Sequence, residues 1–356
     1  MPRKKTETKE TKRIDDKPLL KEALYWRHVK KLENSAVQCK LCPRFCTIKN
    51  GERGNCGTRA NINGTLYSLV YNKPCSIALD PIEKKPLYHF LPGSKSLSIA
   101  TAGCNLHCAH CQNWEISQSK FEDVPYLNAT PEQIIAQAKA KGAESISYTY
   151  TEPTVFYEYM LDVAKLAKKE NIKNVIVSNG FINSMPLKKL SQYIQAANID
   201  LKGNAIFYEK ICQGKIEPVL ETINLLHKEK VWTEITNLVV PGYNDNVEEI
   251  KKIVSWIQEN VGNNVPLHFS AFYPCYKLSN VPPTQPEFLI KARILAKSLG
   301  LKYVYTGNIN DDEGSTTFCH KCNARLILRN NLSLKENRII DGKCPNCNEK
   351  IPGVWK

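Results

Sequence analysis

Thr101-Ala-Gly-Cys104-Asn-Leu-His-Cys108-Ala-His-Cys111-Gln-Asn-Trp-Glu-Ile-Ser117 is the stretch on which the reading of this 356-residue chain turns. Cys104, Cys108 and Cys111 form a Cys-x3-Cys-x2-Cys run directly after the strand-like segment 97–102. Three thiolates so close together, with no fourth cysteine nearby in sequence, suit a cubane iron–sulfur cluster that leaves one iron without a protein ligand. An open metal position can bind a substrate or cofactor directly. A fully protein-ligated one transfers electrons or holds a fold.

Downstream of this loop the pattern alternates. Segments 97–102, 145–150, 174–178, 197–201, 231–240, 267–273 and 303–306 read as strands. Between them, segments beginning at Thr130 and spanning 155–169, 186–195, 216–228, 247–260 and 286–298 read as helices. Thr130-Pro131-Glu132-Gln133 offers a capping hydroxyl, a proline in the first turn and a glutamine three residues on. The 155–169 segment sets Val155, Tyr159, Val163 and Leu166 along one face. Such alternation demands a parallel sheet covered by helices. Six or seven units favour a closed or nearly closed barrel, and no G-x-G-x-x-G follows the first strand to argue for a dinucleotide fold. In such barrels chemistry gathers at the C-terminal strand ends, where the cysteine loop begins.

Fourteen cysteines are many, and eleven of them fall into three short-spaced groups. In a cytosolic context this reads as metal ligation rather than a disulfide framework. Cys39, Cys42, Cys46 and Cys56 suit a zinc knuckle or a second iron–sulfur cluster, because thiolates serve both. Cys319, Cys322, Cys344 and Cys347 form two Cys-x2-Cys knuckles around a strand-like ARLILR and a turn at Asp341-Gly342, the spacing of a zinc ribbon, with rubredoxin-like iron as the alternative. Cys75, Cys212 and Cys275 stand alone and read as small buried apolar residues.

The net charge of +14 has much of its excess in residues 1–31. A solvated leader is the favoured reading over a nucleic-acid contact, since no interleaved aromatic signature accompanies the charge. Residues 1–20 read as disordered, 21–35 as a helix, and 62–72 as a hairpin around Asn63-Gly64. No apolar run reaches the roughly 20 residues a membrane span needs, and the N-terminus lacks the apolar core of a secretory signal, so a cytoplasmic protein is expected.

Polar residues gather at three consecutive strand ends: Tyr150-Thr151-Glu152-Pro153, Ser178-Asn179-Gly180 and Asp200-Leu-Lys202. Their mixture of carboxylate, amide, hydroxyl and ammonium suits a small zwitterion bearing a ribose. Each also has a plain structural reading. Asp200 and Lys202 make a local pair, and Glu152 complements a helix N-terminus.

These motifs resemble those of the radical S-adenosylmethionine (SAM) enzymes. The nearest branch holds the pyruvate formate-lyase activating enzymes and, within it, the radical SAM component of the AmmeMemoRadiSam system. CKLCPRFC, GERGNCGTR, TAGCNLHCAHCQNWEISQ, YTYTEPTVFYEY, NIDLKG, NLVVPGYND, HFSAFYP, YTGN and CPNCNEKIPGVW carry the likeness over residues 36–356. The resemblance implies an α/β fold with a partial (β/α)6 TIM-like barrel, an N-terminal Cys-rich module and a C-terminal zinc-ribbon-like module. The expected divisions are 1–35, 36–92, 93–312 and 313–356. It further implies a [4Fe–4S] cluster on Cys104, Cys108 and Cys111, and SAM on the open iron. His110, Asn113, Glu152, Ser178, Asn179, Asp200 and Lys202 are the implied SAM contacts, with the backbone at Pro241-Gly242-Tyr243 on the adenine side. His110 replaces the family's usual aromatic, and Tyr150-Thr151 replaces two glycines.

The expected activity is reductive cleavage of SAM to a 5′-deoxyadenosyl radical that takes hydrogen from a substrate, fed by a flavodoxin- or ferredoxin-like donor. Memo-type and AMME-type proteins are the implied partners. A glycyl-radical-enzyme activase is the nearest alternative, and a non-catalytic metal-binding adaptor for protein or nucleic acid the alternative of a different class.

Overall fold

A computed structural model describes residues 20–29, 35–330 and 332–356. Residues 1–19 of the segment 1–20 expected to be disordered lie outside them, as do residues 30–34 of the expected first helix. The core is an eight-stranded sheet: β1 (Ser76–Pro81), β2 (Lys95–Ala100), β3 (Ser145–Tyr148), β4 (Lys173–Ser178), β5 (Ala196–Asp200), β6 (Trp232–Val239), β7 (Leu267–Ala271) and β8 (Val304–Gly307). Spatial order follows chain order throughout. Strands β2 to β8 are parallel, and β1 joins β2 antiparallel, Ser76 opposite Ala100. All seven expected strands are present. The edge strand β1 was not expected, and it ties residues of the N-terminal region into the main sheet.

The covering helices are α1 (Pro131–Ala140), α2 (Tyr157–Lys169), α3 (Ser184–Ser191), α4 (Glu217–Lys228), α5 (Val247–Asn260) and α6 (Pro286–Ser298). Helix α1 carries the full capping box: Thr130 accepts from the Gln133 N–H while the Gln133 side chain accepts from the Thr130 N–H.

The two sheet faces differ in chemistry. Leu97, Ile99, Ile146, Tyr148, Ile176, Ile199, Ile235 and Phe269 join helix residues such as Ile134, Val163, Leu187 and Ile223 in one buried cluster. The alternate positions are Ser96, Ser98, Ser147, Asn198, Glu234, Thr236 and His268, all buried. Register keeps these on one face, with Ser98 opposite Ser147, Asn198 opposite Glu234, and Thr236 opposite His268. Parallel strands buried on both sides usually read as continuous apolar runs. A polar inner face at this depth must be hydrogen-bonded internally, as in Ser96–Ser147 at 2.6 Å and Thr236–Asn198 at 2.9 Å.

The expected helix over 21–35 is replaced, within the described residues, by short strands Lys21–Glu22 and Trp26–His28. Lys21 lies opposite Ser68 and Trp26 opposite Cys39. A lone helix of that length is marginal in water, whereas two open sheet edges offer ladder hydrogen bonds. The hairpin falls earlier than expected, between Arg59–Ile62 and Thr65–Ser68. Asn63 and Gly64 both have positive φ, as a type I′ turn requires.

The tail forms a three-stranded antiparallel sheet, Thr317–Phe318, Arg325–Asn330 and Ser333–Asn337. It docks through Arg329, which is wholly buried and donates to the Tyr88 carbonyl at 2.7 Å and Thr317 Oγ1 at 3.0 Å. His89 bridges the Pro352 carbonyl (Nδ1, 2.7 Å) and the Tyr305 hydroxyl (Nε2, 2.6 Å). No helix among the described residues is long and apolar enough to cross a membrane.

Burial, with Arg329 and His268 adding to it and Glu234 opposing, lowers the His89 pKa from 6.5 to about 4. Between those values the unfolded chain binds the proton and the folded chain does not. Stability is therefore expected to fall as pH drops through that window, by at most about 3 kcal/mol. Urea melts of wild type and His89→Gln across the window check this, the variant showing the flatter pH dependence.

Candidate active site

Strand β2 ends at Ala100 and runs directly into the cysteine loop at the C-terminal edge of the sheet. Neighbours hold the loop from three sides. His107 N–H donates to the Cys212 carbonyl at 3.0 Å, Ala109 N–H to Ile211 at 2.8 Å, and Asn105 Nδ2 to Phe181 at 2.7 Å. Gly103 lies at φ +97, and a Cβ there would stand 2.4 Å from Thr58 Cγ2 and 2.7 Å from the Cys56 carbonyl oxygen. Only glycine lets the N-terminal module approach this closely.

Two of the three sulfurs have hydrogen-bonding groups beside them that suit ligated thiolates. Leu106 N–H is 3.4 Å and Asn179 Nδ2 3.7 Å from Cys104 Sγ, and the Ser117 hydroxyl is 3.2 Å from Cys111 Sγ. Hydrogen bonds to sulfur are one lever that sets cluster potential. Three thiols in one loop, two of them with such neighbours, fit a cubane carrying an open iron.

Glu152 is the best-connected group beside the loop. It is 2 % exposed. Its Oε1 accepts from Thr154 N–H (2.9 Å), Thr154 Oγ1 (2.6 Å) and Ser178 Oγ (2.8 Å), and its Oε2 accepts from Asn179 N–H (2.8 Å). Burial raises its pKa, and these four donors oppose the rise. Oε2, with a single donor, keeps acceptor capacity for one more. The plain structural reading of Glu152 also holds, since it caps the short 3-10 turn Pro153–Phe156.

Tyr150 and Thr151 are tied to the cysteine loop. The Tyr150 carbonyl accepts from Asn113 Nδ2 at 2.7 Å, and Thr151 Oγ1 donates to the Thr101 carbonyl at 2.7 Å. Tyr150 takes φ +65, the left-handed region, and its hydroxyl donates to buried Asp80. A non-glycine residue there costs roughly 1–2 kcal/mol. That hydrogen bond and the ammonium of Lys85, 4.5 Å from the Tyr150 ring centroid, hold the side chain in place.

Asp200 and Lys202 form a salt bridge of 2.7 Å. Attraction to Asp200 and Cys108 outweighs burial and raises the Lys202 pKa. His110 is buried against Phe207, with centroids 5.6 Å apart, and Phe207 meets Tyr243 at 6.5 Å. His110 Nδ1 has no hydrogen-bond partner among the described residues.

Two cysteines read as small buried apolar residues also border the loop. Cys212 is wholly buried, with Sγ within 4.8 Å of Cys108 Sγ and of a His110 ring nitrogen. Cys275 Sγ donates to the His110 carbonyl at 3.3 Å. Spacing carried no signal for either, because the chain returns to the loop only after β5 and β7.

In the tail, the four thiols of Cys319, Cys322, Cys344 and Cys347 lie within 4.8 Å of one another. The Cys319–Cys347 and Cys322–Cys344 sulfur separations are 3.6 and 3.7 Å. A tetrahedron of sulfurs about 2.3 Å from zinc has an edge of about 3.8 Å. The N-terminal four line one small apolar cavity with Leu41, Ile48 and Val155.

A family model described as the Radical SAM superfamily matches residues 98–257. The chain is 48% identical over 334 residues to an uncharacterized protein of Methanocaldococcus jannaschii, covering 93% of this chain and 99% of the relative. A putative glycyl-radical enzyme activating enzyme of the same organism is 26% identical over 46% of this chain and 70% of its own. Among solved structures, a radical SAM methyltransferase from Sphaerobacter thermophilus shares the fold with a TM-score of 0.50 at 13% identity, over 62% of this chain and 68% of that one. Over residues 98–257 the chain belongs to the radical SAM superfamily, enzymes that work with a [4Fe–4S] cluster and S-adenosylmethionine.

Proposed function

We propose that Cys104, Cys108 and Cys111 ligate the [4Fe–4S] cluster, and that SAM lies against it across the ends of β3, β4 and β5. Asn179 carries this reading: its N–H donates to Glu152 and its side-chain amide points at Cys104 Sγ. One residue thus joins the carboxylate to the sulfur. Glu152 Oε2 receives the methionine ammonium, and Ser178 and Asn179 fix that carboxylate in place. Lys202, held by Asp200, faces the methionine carboxylate and Asp200 the ribose. Asn113 keeps the Tyr150 carbonyl at the edge of the site. His110, Phe207 and Tyr243 form the adenine wall. When bound and reduced, the cluster and SAM supply a 5′-deoxyadenosyl radical. The chain's own task is to orient SAM and exclude water around it.

Family membership makes the chain an enzyme, and the adaptor alternative falls with it. The substrate is read as a polar molecule or side chain, because the inner face of the sheet is polar and a cavity beside it is lined by Thr236, His268, Ser270, Tyr273 and Asn308. The activase reading draws on relatives named as glycyl-radical enzyme activating enzymes. A flavodoxin- or ferredoxin-like donor completes the proposal, with Memo-type and AMME-type proteins as candidate partners. The tail cysteines are read as a structural zinc site.

Dithionite-reduced, anaerobically reconstituted protein should convert SAM to 5′-deoxyadenosine, and the Cys104/Cys108/Cys111 triple alanine variant should not. Chromatography of the products decides it, and an inactive wild type would overturn the reading.

Glu152→Gln keeps the shape of the side chain but turns its amide NH2 toward the Asn179 N–H. It is expected to lose about 1–3 kcal/mol of stability in a urea melt and to weaken SAM binding at least tenfold by calorimetry.

Removing zinc with a chelator should release the segment after Gly314 to limited proteolysis while leaving the barrel resistant, with one zinc lost per chain by elemental analysis.

A further inference from the structure

The N-terminal cysteines differ from the tail set in a way that bears on what they hold. In the tail, four sulfurs have closed to the spacing of a single tetrahedral ion. Cys39, Cys42, Cys46 and Cys56 line one cavity, yet no three of their sulfurs come within 4.8 Å of one another. The same chain therefore builds one narrow four-thiol site and one wide one. A single zinc at about 2.3 Å from each sulfur needs the narrow form, and a cubane separates its ligands farther because each binds a different iron.

The surroundings of the wide site favour a charged cluster. Asn55 N–H is 3.4 Å from Cys46 Sγ and Arg59 Nη1 reaches to 4.0 Å from Cys39 Sγ, while the Thr58 hydroxyl beside Cys56 Sγ donates to the Val155 carbonyl at 3.2 Å. Arg59 lines the cavity at 2 % exposure, and its Nε has no hydrogen-bond partner among the described residues. Glu158 neutralises one guanidinium nitrogen, while Nη1 donates to the Leu24 carbonyl at 3.1 Å and faces Cys39 Sγ. Cys42, Cys46 and Cys56 are half-buried, so the site opens to solvent on one side.

On its inner side the module touches the central loop. The Cys56 carbonyl and Thr58 press on Gly103, and Arg44 Nε donates to the Asn105 carbonyl at 2.9 Å. The residues on either side of Cys104 are thus both in contact with the module.

From this we infer that Cys39, Cys42, Cys46 and Cys56 hold a second [4Fe–4S] cluster that relays electrons from a low-potential carrier protein to the central one. One electron enters the N-terminal cluster, taking it from the 2+ to the 1+ state. It then passes on, returning that cluster to 2+ and reducing the central one to 1+, with no proton moved. The relay role rests on the proposed SAM site, whereas occupancy by iron does not.

Elemental analysis and Mössbauer spectroscopy of the anaerobically reconstituted full chain test the assignment. Wild type should carry about eight irons and one zinc. The Cys104/Cys108/Cys111 triple variant should keep about four irons as a cubane, even if the SAM reading fails. Two zincs in wild type, or a triple variant without cubane iron, would overturn the proposal. A Cys42→Ser/Cys46→Ser variant should retain the SAM-induced change in the electron paramagnetic resonance of the central cluster, which reports an intact fold. Reduction of that cluster by reduced ferredoxin should slow at least tenfold in this variant. An unchanged rate would overturn the relay.

Discussion

A single buried carboxylate organises the site. Glu152 collects four hydrogen bonds from its own turn and from the end of β4, and Asn179 extends that network to Cys104. A buried carboxylate left unpaired is costly, so the ends of two parallel strands and the start of α2 are locked together by the need to satisfy it. That lock fixes where the cysteine loop can lie. It also explains how Tyr150 is tolerated in a left-handed conformation, since Asn113, Asp80 and the capped turn hold it from several directions.

Two small modules flank the eight-stranded sheet and meet it differently. The tail packs near the start of β8 through Tyr303, Tyr305 and Arg329, away from the strand ends that carry the cysteine loop. The N-terminal module packs on the loop itself. Under the relay proposed above, closeness to the loop is what the N-terminal module needs, whereas a module that only holds a fold can sit elsewhere on the surface.

Much of this was legible in the sequence, for physical reasons. Strand-like runs alternating with helical segments mark the parallel strands, and close spacing marks each of the three cysteine groups. Glu152, Ser178, Asn179, Asp200 and Lys202 were legible because parallel strands place their C-terminal ends together. What sequence could not show depended on distant pairing. The edge strand Ser76–Pro81 pairs antiparallel and ends in proline, so it carries no β/α signature. Residues 21–29 have helical spacing but are captured by open sheet edges. Cys212 is brought to Cys108 by the return of the chain after β5, and the serine-rich inner face declares itself only once register is known.

The docking of the N-terminal module also sets an order of events. Arg59 pairs with Glu158 across 99 residues of sequence, Leu24 reaches Glu158 across 134, and Lys21 reaches Asp162 across 141. At about 5–20 residues per second, Glu158 leaves the ribosome roughly 5–20 s after Arg59. Throughout that interval the four thiols from Cys39 to Cys56 lack the wall that Val155 provides. The first cysteine group to be synthesised is therefore enclosed only after α2 has been made. Loading of that module during synthesis depends on how long its open thiols escape oxygen.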